Sequence, residues 1–214
     1  MSTEKQRTDW RTEVRSEAQQ SAPKPEPRGW RYNRRLGVLL LAAAVVLASL
    51  LGVSRGVRSQ YRRVTEAYAE GTDGSGYGVA YYGRGMDERA ANLCKLAGKS
   101  QYGGAFSSQI EAVEQARLAI SSAGTAGMLY EAVSTLTDAV DALNAELKDG
   151  SLTDADEQLR QSEYQSFQDQ LFKLRNVAVD YNEVARAYND KVLGSFPAGA
   201  MKNMLHLPEA EEYR

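Results

Sequence analysis

The chain is poor in the residues on which most enzyme sites are built. Among 214 residues there is one cysteine, Cys94, and one histidine, His206. A single thiol excludes an intrachain disulfide and leaves the redox compartment open. Set among Ala, Asn and Leu, Cys94 reads as a small buried hydrophobe. A histidine-based metal cluster or a Ser-His-Asp triad would have to include His206, and no signature surrounds it. EF-hand spacing is missing, and the glycine-rich stretch 71–85 contains no GxxxxGK[ST] phosphate loop, so it reads as a flexible connection between helices. Alternating strand patterns of useful length and repeats of 20 to 50 residues are also wanting. Proline is scarce: three of five lie in SAPKPEPRGW, residues 21–30, and leave the rest free to form helix. A basic excess is absent from the main body, since residues 1–35 carry +4 and residues 54–214 carry −6, within a total of −2. That acidic balance argues against nucleic acid as a partner.

What the chain does contain is LGVLLLAAAVVLASLLGV, residues 36–53, eighteen positions without a charge. At ~1.5 Å per residue such a helix nearly spans a hydrocarbon core of ~30 Å, so a single transmembrane helix is expected there. A cleaved signal peptide fits less well, because its apolar region is shorter and its leading segment is not 35 residues long. The mixed-charge, proline-containing residues 1–35 read as a disordered basic tail. Arg28, Arg31, Arg34 and Arg35 before the span nearly balance Arg55, Arg58, Arg62 and Arg63 after it. Lys24 tips the count toward a cytoplasmic N-terminus and an extracytoplasmic domain. Trp30 and Tyr32 suit the membrane interface.

Beyond the span, residues 54–214 read as helices. Val53, Val57, Tyr61, Val64 and Tyr68 continue the membrane helix at spacings of three and four. Met86, Ala90, Leu93 and Ala97 mark a helix stopped at Gly98, and Ile110, Val113, Ala116 and Ile120 a shorter one ending near Gly124. Leu129, Val133, Leu136, Val140, Leu143 and Leu147 make a regular seam closed by Gly150 in the C′ position. Thr153 and Asp156, at capping-box spacing, open the longest helix. Its heptad seam is Tyr164, Phe167, Leu171, Leu174, Ala178, Tyr181, Ala185, Tyr188 and Val192, with Glu163, Gln168, Asp169 and Glu183 on the solvated face. Short links predict an all-α fold: an antiparallel, up-and-down helical bundle with coiled-coil-like packing behind one transmembrane helix.

The dipeptide Tyr-Asn occurs at Tyr181-Asn182 and again at Tyr188-Asn189, seven residues on, so both pairs share one helix face. A tyrosine on a seam buries its ring and needs a partner for its hydroxyl, which an asparagine across helices could supply, fixing register. The functional alternative has Tyr188, Asn189, Phe196 and Met201 presented to another protein, because Pro197 ends the helix and leaves an apolar tip.

The run DYNEVARAYNDKVLGSFPAGAMKNMLHLPEAEEY, residues 180–213, resembles the end of LemA-family proteins, whose last long helix carries two Tyr-Asn pairs seven apart and then Phe-Pro. RAANLCKLA is similar to the family's Asn-Leu helix at Asn92-Leu93, and IEAVEQAR to its Val-x-x-Ala-Arg stretch at Val113 and Ala116-Arg117. The family's paired Arg, its Pro before Asn-Leu and its glycine-phenylalanine segment after Phe-Pro are replaced here, so the resemblance is to a divergent member. It implies a membrane-anchored helical domain over residues 54–214, with Tyr181, Asn182, Tyr188, Asn189, Phe196 and Pro197 as its interaction or structural motif, and a membrane protease as a class of partner.

The function expected is therefore that of a single-pass interaction or scaffold module in the cell membrane, with the bilayer and other proteins as partners and a homo-oligomer left open. The alternative is an envelope sensory or ligand-binding domain that signals through a partner. An enzyme using Asp154, Asp156 and Glu157 is disfavoured, because acids in a first helical turn ordinarily compensate the helix dipole. No cofactor, metal ligand or catalytic residue is assigned.

Overall fold

A computed structural model describes residues 30–214, with side chains from residue 34 onward. Most of the basic tail, including Trp30 and Tyr32, lies outside the described side chains. Every regular element among the described residues is helical. Helix α1 spans Trp30–Glu70, α2 Val79–Ala97, α3 Ser107–Ser122, α4 Ala126–Asp149, α5 Asp154–Ala187 and α6 Ala198–Leu205. A 3-10 turn occupies Ser100–Tyr102, a π-helical turn Tyr188–Leu193, and residues 207–214 form neither helix nor strand.

The chain divides within α1 into Met1–Ser49 and Leu50–Arg214. In the first unit the apolar helix is uncovered: Leu36, Leu39, Leu41, Val45 and Leu47 are all exposed. Its best eighteen-residue window has a mean hydropathy of 2.7, which makes it long and apolar enough to cross a membrane.

The second unit closes around one core. Met86 and Leu93 of α2, Val113 of α3, Leu136, Val140, Leu143 and Leu147 of α4, and Phe167 and Leu174 of α5 are fully buried. Each contributes about 1.5–3 kcal/mol relative to exposure. These are the positions that the three-and-four spacing marks. The C-terminal half of α1 joins the core through Val57, Val64 and Ala67. Contacts from α2 and the turn that follows it to α5 run in descending order: Gly85 lies under Gln170, Arg89 pairs with Glu163, and Lys99, just past α2, with Asp156. Arg117 of α3 bonds Asp87 of α2 at 2.8 Å, and Tyr164 of α5 donates to Asp141 of α4 at 2.9 Å.

Expected helix ends are found at Gly98, whose N–H donates to Cys94 O at 2.8 Å, and at Thr153, whose hydroxyl accepts from Asp156 N at 3.3 Å. Gly150 also ends α4, in an extended rather than a left-handed conformation.

The glycine stretch departs from expectation. Gly71, Gly74, Gly76 and Gly78 form a tight turn, and Gly71 takes the left-handed φ of 85° that ends α1. Gly83 and Gly85 instead lie inside α2, where a Cβ would come within 3.1 Å of Leu129 Cδ1 and 3.0 Å of Gln170 Oε1. Those two glycines let neighbouring helices approach, so α2 starts seven residues before Met86.

The seam of α5 also changes at its end. The N–H of Gly194 donates to Asn189 O at 2.7 Å, a five-residue return that inserts one residue into the turn. Leu193 is buried as a result, while Val192, four residues beyond Tyr188, is only partly covered.

Candidate functional site

Seven residues of α-helix advance about 10.5 Å, and three residues of extended chain about 10 Å. The Tyr-Asn repeat joins these two periods. Tyr181 donates its hydroxyl to Glu211 O at 2.8 Å, and Tyr188 donates to Pro208 O at 2.6 Å, three residues away along the C-terminal segment. Asn182 donates Nδ2 to Tyr213 O at 3.1 Å and accepts from Tyr213 N at 2.7 Å. Asn189 does the same with Ala210, at 2.8 and 3.0 Å. Rising numbers on α5 meet falling numbers on the segment. The asparagines therefore read backbone, not other helices, and each carboxamide satisfies one donor and one acceptor that burial would otherwise orphan.

The segment has its own pattern for this seat. Leu207, Ala210 and Tyr213, three apart, point into the core. The acids between them find partners: Glu209 pairs with Lys202 at 2.8 Å, Glu211 accepts from Thr125 Oγ1 at 2.5 Å, and Glu212 pairs with Arg186 at 2.8 Å.

On the other side of the ladder stands a second tyrosine heptad. The rings of Tyr61 and Tyr188 lie 5.5 Å apart and those of Tyr68 and Tyr181 5.8 Å apart, while Tyr130 meets Tyr213 edge-on at 5.2 Å. Such tilted pairs contribute ~0.5–1.5 kcal/mol beyond burial. Burial, reinforced by Tyr61 and Glu209, pushes the Tyr188 phenol up to about 12, and burial first also raises Tyr181 and Tyr213. Tyr181 and Tyr188 stay protonated, as donors to backbone carbonyls must. Tyr61, Val64, Tyr68, Thr125, Tyr181 and Glu211 line a small cleft beside the ladder.

The six motif residues do not share one surface. Tyr188 is 4% exposed and Asn189 is engaged with Ala210, whereas Phe196 is 88% exposed beside a half-buried Pro197. The Phe196–Pro197 peptide is cis.

Two charged residues near the start of α5 are internal. Asp156, read as dipole compensation, is 5% exposed and accepts from Lys99 Nζ at 2.5 Å, Gln101 Nε2 at 2.7 Å and Tyr102 Oη at 2.5 Å. The Lys99 and Tyr102 bonds hold its carboxyl below the usual range. Arg160, 6% exposed, bonds Glu157 and Asn144. The signal was available: stepping back from Phe167 by three and four gives Tyr164, Arg160 and Asp156, the seam extended to the start of α5. Glu163, read as solvated, instead accepts from Arg89 and Asn92 at 3.2 Å each. Cys94 is buried, and desolvation, with Glu114 nearby, pushes its thiol up to about 12. Among the described residues no three His, Cys, Asp or Glu side chains are grouped to hold a metal ion.

No family model, curated protein or solved structure matches this chain.

Proposed function

We propose that this chain is a single-pass, membrane-anchored interaction module, an antiparallel up-and-down helical bundle of LemA type, and we assign it no reaction. The observation that carries the reading is α1 itself. Its first half is apolar and uncovered, and its second half supplies Val57, Val64 and Ala67 to the core of the second unit. One helix thus carries both the apolar run and part of the domain's core. The descending contacts from α2 and the turn after it to α5 support the antiparallel arrangement.

For a protein partner the surface favoured is the outer face of α5, where Phe172 and Val179, one heptad apart, are 65% and 59% exposed. Exposed aliphatic and aromatic side chains at that spacing suit a second helix laid along the first. By the LemA resemblance, a membrane protease is the partner class to test first.

The test combines alkaline extraction of membranes with a photo-crosslinker at position 172. The chain should remain in the membrane and crosslink to protein, and Val179→Glu should abolish the crosslink. Release by alkali would overturn the anchor, and crosslinks indifferent to Val179→Glu would overturn the docking face.

A further inference from the structure

Beyond Tyr188 the chain makes an excursion and returns. It leaves α5 through the π-helical turn, bends at residues 194–197, comes back through α6, and meets Tyr188 again at Pro208. Residues 194–206 thus form a lobe projecting past Tyr188. Its helix α6, eight residues, is about 12 Å long.

The tyrosine pairs set its direction. With Tyr68 against Tyr181 and Tyr61 against Tyr188, α1 and α5 run in opposite senses here. What projects past Tyr188 therefore lies beside the residues that precede Tyr61. Some 12 Å before Tyr61, eight residues back, is Val53, the last residue of the uncharged run. By helical rise the lobe comes level with the end of that run, whose Val53 packs against the same core as Leu193 and Ala198.

The chemistry of the tip suits that level. Phe196 is 88% exposed and Met204 60% exposed. Residues 191–208 contain no Asp or Glu but do contain Lys191 and Lys202. Lys202 pairs with Glu209 and Lys191 is exposed. Exposed apolar side chains beside an exposed lysine, Lys191, are a composition that settles in the headgroup region of a bilayer.

We propose that Phe196 and Met204 insert into the interfacial layer of the same bilayer that holds α1, giving the domain a second membrane contact. Leu51, on the same uncharged run, is 59% exposed, so lipid is the occupant already required at that level. One helix leaves a domain free to swing about the bilayer, and a second point of contact fixes its tilt. The inference rests on the anchored reading above.

The test uses the full chain in lipid nanodiscs containing phosphatidylglycerol, in a Trp10→Phe, Trp30→Phe background. Phe196→Trp is the probe, Leu47→Trp reports the anchor, and Phe172→Trp reports the far part of α5. Lipids brominated near the headgroup end of the acyl chains should roughly halve emission at 196, where interfacial side chains sit ~5–10 Å deep. They should also quench position 47 and leave 172 unchanged. Quenching at 47 without quenching at 196 overturns the second contact and leaves the anchor standing. Loss of quenching at both overturns the anchor, and the tip contact with it. Equal quenching at 172 and 196 shows a contact not confined to the tip and also overturns it.

Discussion

Asn182 and Tyr213, 31 residues apart in sequence, exchange two hydrogen bonds, carboxamide to carbonyl at 3.1 Å and amide to carboxamide oxygen at 2.7 Å. Asn189 repeats the exchange with Ala210. A heptad on α5 thus clamps a three-residue step of the chain's own C-terminal segment, which makes the Tyr-Asn face part of the interior.

Removing a clamp should be costly because the backbone groups it satisfies stay buried. Asn189→Ala orphans the Ala210 amide and carbonyl, and should lower stability by about 1–3 kcal/mol. Tyr188→Phe removes only one donor and should cost about 0.5–1.5 kcal/mol. For a chain of this size each kcal/mol lowers Tm by about 2–4 °C, so thermal melts separate the two variants. Equal, negligible shifts would mean that the segment is not held by these side chains.

Alkali should release the segment. The folded Tyr188 phenol titrates at about 12 and an unfolded one near ~10. A raised pKa gives stability that is complete below the unfolded value and drains away as pH climbs through the folded one. Stability should hold to about pH 10 and fall between there and 12. Phenolate absorbance followed alongside helical circular dichroism checks this, and free titration of all tyrosines near their ordinary value in the folded protein would contradict it.

Asp156 makes the opposite prediction in acid. Lys99 and Tyr102 lower its carboxyl pKa, so its contribution is present above the unfolded carboxyl value and is lost as pH falls through the folded one. Asp156→Asn should destabilise the protein at neutral pH, and the difference from the parent should close as pH drops below the carboxylate range. Urea unfolding at both pH values measures it, and a constant gap would assign the effect to packing.

Cys94 should be inert in the folded state. It is buried, and desolvation with Glu114 raises its thiol pKa to about 12, whereas alkylation needs an exposed thiolate. Iodoacetamide should label it only after urea is added, as mass spectrometry would reveal. Prompt labelling of the native chain would contradict the burial of α2.

The helical seams could be read directly from sequence because burial on a helix follows a period, and Leu129 through Leu147 keep it without a break. The uncharged run and the Thr153 and Gly98 boundaries were legible for similar reasons, local composition and local capping. Other features depended on tertiary neighbours. Gly83 and Gly85 look like flexible linker residues until Leu129 and Gln170 are seen against them. Asp156 and Arg160 keep the seam's register, but their charge hid it. The Tyr-Asn interval was visible as seven, whereas its partner was the three-residue step of Leu207, Ala210 and Tyr213, which resembles no regular element by itself. The π-helical turn left no local mark.

The central claim is that the Tyr-Asn face is occupied by the chain's own residues 207–214, so that any partner must dock elsewhere. Hydrogen exchange at the Ala210 and Tyr213 amides tests it most directly. Both amides should exchange slowly in the parent chain, and each should become fast when its own asparagine, Asn189 or Asn182, is changed to alanine. Exchange in the parent at the rate of an unstructured peptide would leave the face open and contradict the account.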